Sequence, residues 1–371
     1  MDEDIALDPP PDRPLKRGWT TGTCAAGAAK AAFAALVTGD FPDPVEVALP
    51  GGGRPAFALA VTGREADTAM AGIVKDAGDD PDVTHGALVQ ARVRRGAPGA
   101  GVTFRAGDGV GTITRPGLPL PPGEPAINPV PRRMIAEGIA EVAASAGVPA
   151  DAEVEISILD GAALAQKTLN PRLGILGGLS VLGTTGIVIP FSCSAWIHSI
   201  HRGIDVARAM GLTHLAGATG SASEAAVQKL HGLPEEALID MGDFVGGMLK
   251  YLGSHPVPRI TIAGGVAKMT KLAQGLLDLH SKRGAADLDA LAALALGAGA
   301  SAELAARISA ANTVAHAFQL AAAEGVALGD VVAQRAWAAA AGVISGKGME
   351  LEIVVFDREG AQVGRAEFAR A

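Results

Sequence analysis

Positive charge is scarce in this chain of 371 residues, where 31 Lys and Arg stand against 39 Asp and Glu, a net charge of -8. Nothing in that balance suggests a polyanion such as DNA as partner, and an acidic small ligand would need a local basic patch. Aromatic side chains make up just 4%, with a single tyrosine, Tyr251. That scarcity argues against stacking platforms for single-stranded nucleic acid and leaves the cores to Ala, Leu, Val and Ile. Cys24 and Cys193 are the two cysteines and form no CxxC pattern. A structural zinc site or a disulfide framework is not expected, and a reducing cytoplasm fits. Each cysteine could be a nucleophile, but no pattern assigns either a base. P-loop, HExxH, GxSxG and kinase signatures are absent. Residues 1–13 are acidic and Pro-rich with no apolar core, which reads as a loose tail rather than a signal peptide. Leu173 to Ile197 carries no charge and is long enough to span a bilayer. Its glycines and Pro190 weaken a helix, so buried loop and strand is the expectation.

What is present describes a well-packed protein, 49% hydrophobic and 19% charged, and long enough for two domains. Thr20-Thr21-Gly22-Thr23-Cys24 runs into a helix of small residues, about Cys24 to Val37. The threonines can cap its first turn, and open N–H groups there attract anions. A plain Ala-rich core helix with a polar cap explains the passage slightly better than a ligand site. Short strands follow at Val45–Leu49, Phe57–Val61, Ala87–Val93, Val102–Phe104 and Gly109–Thr114, then a helix from about Arg132 to Ala146 and a strand at Glu153–Leu159. Residues 14–185 thus read as an α+β domain. From 186 to 345 the pattern alternates. A buried strand at 186–190 leads to a helix over Ser194–Met210, and three strand–loop–helix units start at Thr213, Ala237 and Arg259. Such alternation implies an α/β domain with a mainly parallel sheet, under Ala/Leu-rich helices from 286 to 343. Residues 346–371 form a terminal strand pair that could return to either domain.

Ligands of parallel sheets sit beyond the carboxyl ends of the strands, where three glycine loops fall. The loop Gly217-Ala218-Thr219-Gly220-Ser221 lacks the GxGxxG pattern, and a tight connection explains it as well as a cofactor does. Asp240 and Asp243 suit ribose hydroxyls, and Asp243 suits a helix cap equally. Lys268 and Lys271 follow Gly264-Gly265 on one helix, with His280 and Ser281 beyond. Lys at a helix start opposes the macrodipole, which suggests a ligand. Arg132 and Arg133 head another helix, and Lys167 and Arg172 flank Thr168-Leu169-Asn170-Pro171. These are the candidates for an acidic ligand, against a plain scatter of surface charge. His198 and His201 have metal-ligating spacing but no third ligand nearby, so no metal site is assigned.

Four blocks resemble the CbiD family of cobalt-precorrin-5B C1-methyltransferases in cobalamin biosynthesis. They are Arg17–Ala26, Gly109–Pro119, Gly123–Arg132 and Thr168–Gly178 continuing through Leu182–Gly186, with a looser block from Lys268 to Ser281. The chain departs from the family pattern at Gly265 and Ala267, where members often carry His and Gly. The resemblance implies S-adenosylmethionine (SAM) as methyl donor and a ring-contracted tetrapyrrole carrying cobalt as acceptor. It implies a two-domain build whose second part is Rossmann-like, and methylation at C1 to give cobalt-precorrin-6A. On that basis Gly217, Thr219, Gly220, Ser221, Asp240 and Asp243 would bind SAM. Arg132, Arg172, Lys268 and Lys271, with Thr184 and Gly186, would bind the tetrapyrrole. Thr21, Thr23, Thr185 and His280 are the catalytic candidates, and no metal is held by the protein itself. A cytoplasmic enzyme without nucleic-acid or membrane partners follows, with homo-oligomerisation open. A non-catalytic corrinoid carrier and a nicotinamide-dependent oxidoreductase are the alternatives, the latter disfavoured by the missing GxGxxG.

Overall fold

The computed structural model describes residues 13–371, and the chain divides into two units after Ser192. Residues 1–12 of the expected tail lie outside the described residues. The first unit starts with β1 (Gly18–Trp19), α1 (Thr21–Thr38), β2 (Val45–Glu46), β3 (Ala56–Phe57), β4 (Val61–Arg64) and β5 (Thr68–Val74). It continues with β6 (Leu88–Arg95), β7 (Val102–Ala106), β8 (Gly109–Val110), β9 (Thr112–Ile113), α2 (Pro129–Ala146) and β10 (Ala152–Ile158). A short α3 (Gly161–Ala165), β11 (Ile175–Leu176), β12 (Gly178–Leu179) and β13 (Ile187–Val188) complete it.

Its five-stranded sheet has the order β4-β5-β6-β10-β7, antiparallel except for the β10–β7 pair. Ala-Glu-Val-Glu-Ile-Ser-Ile in β10 buries every second side chain, the period-two signature of a half-buried strand. Helix α1 lies against β5 and β6, close enough that a Cβ on Gly27 would come within 2.7 Å of Ile73 Cδ1. Small residues permit this approach, and α1 is buried along nearly all its length. Both long helices stop at a left-handed glycine, Gly39 after α1 and Gly147 after α2, whose N–H closes the last turn. The uncharged run from 173 to 197 forms short paired strands and the start of a helix. Among the described residues, no helix is long and apolar enough to cross a membrane.

The second unit comprises α4 (Cys193–Ala209), β14 (His214–Ala218), α5 (Ser221–His231), β15 (Leu238–Asp240), α6 (Val245–Ser254), β16 (Arg259–Gly265) and α7 (Val266–Ala273). Four helices follow, α8 (Leu288–Gly297), α9 (Ala302–Ser309), α10 (Val314–Ala323) and α11 (Leu328–Ile344), then β17 (Glu350–Phe356) and β18 (Gln362–Arg370). Its sheet runs β15-β14-β16-β17-β18, with β18 antiparallel to β17 and the other neighbours parallel. Alternate residues of β16 and β17 point to opposite faces. Ile260, Ile262, Leu351, Ile353 and Val355 join α4, α6, α7 and α8–α11 in one large core. Ala263, Val354 and Phe356 pack with Val227 of α5 on the other. The terminal strand pair therefore extends this sheet.

One expected strand lies elsewhere. Ile187–Val188 does not open the parallel sheet but pairs antiparallel with Gly18–Trp19 in the first unit. A second segment differs in kind, because Gly217 is a strand residue and not part of the loop. It pairs with Ile239 and Ile262, and a Cβ there would meet Met248 Sδ at 2.5 Å. Packing explains this glycine.

Candidate functional site

In the second unit β14 sits between β15 on one side and β16 on the other, so consecutive strands are added in opposite directions from it. At such a switch point the loops leave the strand ends on opposite sides and open a crevice. The carboxyl ends of the three strands bring there Thr219, Gly220 and Ser221 after β14, and Asp240 as the last residue of β15 with Met241 to Asp243 beyond it. Contrary to the expected loop, Gly264 and Gly265 are the last residues of β16, with Lys268 in α7. Thr219 is buried, and its N–H donates to Ala263 O at 3.0 Å. Gly264 is needed by close approach, since a Cβ there would come within 2.8 Å of Thr219 Oγ1. Gly220 and Ser221 are exposed, and a Cβ on Gly220 would meet nothing within 4 Å.

Lys268 of α7 ties the segments after β14 and β15 together. Its Nζ donates to Thr219 O at 2.7 Å and stands 3.1 Å from Asp243 Oδ1. The Asp243 contact is an ion pair without hydrogen-bond geometry, so this buried carboxylate oxygen has no hydrogen-bond partner. Asp243 does not cap α6, which starts at Val245 after Phe244. Lys271, one turn on, is buried and donates to Leu279 O at 2.9 Å. It thereby holds the segment before His280. His280 is exposed, and its Nδ1 accepts from Lys282 N at 3.1 Å.

In the first unit, the start of α1 is closed to anions. Gly22 N–H donates to Leu182 O at 3.0 Å, and Thr23 N–H donates to Thr20 O at 3.1 Å. Thr23 Oγ1 donates to Gly186 O at 2.7 Å, and Thr21 Oγ1 accepts from Leu182 N–H at 2.9 Å. The threonine cluster is thus a buried clamp on residues 182–186, and the plain core-helix reading describes it. Gly186 is buried with φ +83, whereas Thr184 and Thr185 are exposed and Thr185 Oγ1 bonds the main chain of Ile187. Arg132 donates to Ile127 O, Pro125 O and Glu124 and lies 5.1 Å over the Phe104 ring, bracing its own loop. Arg172 is half-buried, and its main-chain oxygen accepts from Arg115.

The cysteines divide sharply. Cys24 is fully buried, and burial pushes its thiol up to about 12 despite the nearby charge of Lys75. A neutral thiol is no nucleophile at neutral pH. Cys193 is exposed at the head of α4. His201 stacks on Tyr251 with ring centroids 3.9 Å apart, a packing contact.

Two features escape the sequence reading. Lys75, 1% exposed, pairs with Asp82 at 2.6 Å. Burial pushes the Asp82 carboxyl up, but the Lys75 charge and bonds from Lys75 and Thr84 outweigh that and hold it below its usual value. Trp196 of α4 donates its indole N–H to Asp240 O at 3.2 Å and is 42% exposed beside the crevice. The only signal in the sequence was a rare tryptophan at a helix start.

The family model described as CbiD matches residues 9–190, and that described as CbiD, C-terminal domain, matches 278–367. A protein of Agrobacterium fabrum named cobalt-precorrin-5B C(1)-methyltransferase is 69% identical over 351 residues, 95% of this chain and 93% of that protein. Proteins with the same name from Bradyrhizobium sp. and Halorhodospira halophila are each 62% identical over 356 residues, 96% of this chain and 95% of theirs. A crystal structure of the Archaeoglobus fulgidus cobalamin biosynthesis protein (cbiD) is 27% identical and covers 72% of this chain and 83% of its own, with a TM-score of 0.40. With both parts of the family pattern matched and such identity along nearly its whole length, the chain belongs to the CbiD family.

Proposed function

We propose that this protein is a cobalt-precorrin-5B C1-methyltransferase that uses SAM and yields cobalt-precorrin-6A. The observation that carries the reading is 69% identity over 95% of the chain to a protein of that name. The strand order of the second unit, parallel around a switch point, supports reading it as Rossmann-like. Two free cysteines support a cytoplasmic setting.

The crevice fits a nucleoside donor on two counts. Open space at Gly220 lets a ligand lie against the main chain, and Asp243 offers a buried acceptor without a hydrogen-bond partner. Asp240 and Asp243 would take ribose hydroxyls, and Thr219, Gly220 and Ser221 the remainder of the molecule. SAM supplies an electrophilic methyl group on a sulfonium sulfur when bound, and the tetrapyrrole C1 is the attacking carbon. The protein's part is to bind, orient and exclude water, and alignment of two reactants is worth about 7–11 kcal/mol. Such alkylation does not oblige a strong acid or base. For the acceptor's carboxylates, Arg172, Thr184 and Gly186 are the proposed contacts, all in the first unit, whereas Lys268 of the second unit is engaged by Thr219 O and Asp243. Each charge-assisted bond is worth about 1.5–3 kcal/mol. Thr21 and Thr23 support residues 182–186, Arg132 braces residues 124–127 and Lys271 the segment before His280, and Thr185 and His280 remain the exposed candidates for proton handling.

Calorimetric titration with SAM tests the donor site. Tight binding by the native protein, lost in Gly220→Trp, is the expected result. Unchanged affinity in that variant removes the loop from the site, and NAD binding in place of SAM favours an oxidoreductase.

A further inference from the structure

The Trp196 indole is held along its N–H edge and half-exposed otherwise. Its N–H is fixed on Asp240 O, and the same edge of the ring adjoins Gly242, where a Cβ would come within 3.3 Å of Cζ2. Gly242 also has φ +52, so a side chain there would be strained as well as obstructed. Phe244 stands behind at a centroid distance of 6.4 Å. Even so, 42% of Trp196 is exposed, next to the carboxyl end of β15. A rigid, half-open aromatic plane beside an aspartate at a strand end is suited to a flat base whose sugar reaches the acid.

We propose that Trp196 stacks on the adenine of the bound donor while Asp240 addresses its ribose. This rests on the nucleoside reading of the crevice and adds the residue that recognises the base. The strands β15 and β16 flank β14, so their ends lie two strand spacings apart, about 10 Å. A nucleoside bearing an amino-acid tail spans that distance, with its base on the β15 side and its tail toward the β14 and β16 loops. Stacking reads flatness rather than hydrogen-bond pattern, so this contact tolerates other purines.

The test is titration of the full chain with S-adenosylhomocysteine, followed by calorimetry and tryptophan fluorescence. Trp196→Leu weakens binding by about tenfold or more, and Trp196→Phe, which keeps a ring but loses the bond to Asp240, stays within about threefold. The native protein shows ligand-induced quenching of tryptophan emission that disappears in Trp196→Phe, although Trp19 and Trp337 remain. Native affinity in Trp196→Leu, or quenching that persists in Trp196→Phe, overturns the proposal. If Gly220→Trp abolishes binding while Trp196→Leu leaves it intact, the nucleoside reading stands and the stacking contact falls. If the native protein binds no S-adenosylhomocysteine, both fall together.

Discussion

At the scale of single residues, the family's threonine-rich signature works as architecture. Thr20 caps α1 through a bond from Thr23 N–H at 3.2 Å, and its hydroxyl lies 3.1 Å from that of Thr23. Thr20→Ala should therefore cost about 0.5–2 kcal/mol, read as a lower urea midpoint. Thr23→Val should free Gly186 O from its side-chain partner and loosen residues 182–186, seen as faster amide exchange there. His214 gives a pH prediction. Burial, chiefly, and the neighbouring His231 and Arg259 push its pKa down to about 4, against an opposing pull from Glu352. Its Nε2 lies 2.8 Å from Thr261 Oγ1, which bonds the buried Glu352, itself held by His231 and Arg365. Because the unfolded chain takes up this proton first, near pH 6.5, the linked stability is intact above that pH. It declines as pH falls from 6.5 toward 4. Urea titrations across that window should show the slope, and His214→Gln should flatten it.

At the scale of elements, period and punctuation made most of the fold legible. The strands near 88, 102 and 152, both long helices of the first unit and the three strand–loop–helix units lie where alternation and glycine stops indicate. Strand β5 was not legible, because Thr-Ala-Met-Ala-Gly-Ile-Val confines its β-branched residues to the two ends and fills the middle with Ala, Met and Gly. Its partners β4 and β6 and the overlying α1 fix it, which is tertiary context overriding local preference. Ile187–Val188 was misassigned for the opposite reason: an apolar run looks the same in either kind of sheet. Glycine placement marked the strand ends, although Gly217, Gly264 and Gly265 belong to the strands themselves. The inward partners of Lys271 and Arg132 were not legible, since sequence does not tell a buried cation from an exposed one. Packing of α11 on β18 also depends on glycine. A Cβ on Gly364 would lie 2.2 Å from Gly329 C, and one on Gly329 would lie 1.8 Å from Val363 O. Backbone cannot step aside as a flexible side chain can. Gly364→Ala should destabilise the second unit by about 1–3 kcal/mol, seen as a lower melting temperature.

At the scale of the whole molecule, an acidic chain in two units keeps its basic groups mostly engaged internally or in ion pairs. The proposed nucleoside site belongs to the strand ends of the second unit, and in the first unit α1 clamps residues 182–186, which carry exposed Thr184. Binding alone is also what a corrinoid carrier would do, so turnover is the decisive quantity. The most direct measurement is incubation of the full chain with cobalt-precorrin-5B and methyl-labelled SAM, followed by mass and NMR analysis of the pigment. The account predicts one labelled methyl group per macrocycle, attached at C1. A pigment recovered bound but unchanged in mass, or labelled at another carbon, would contradict it.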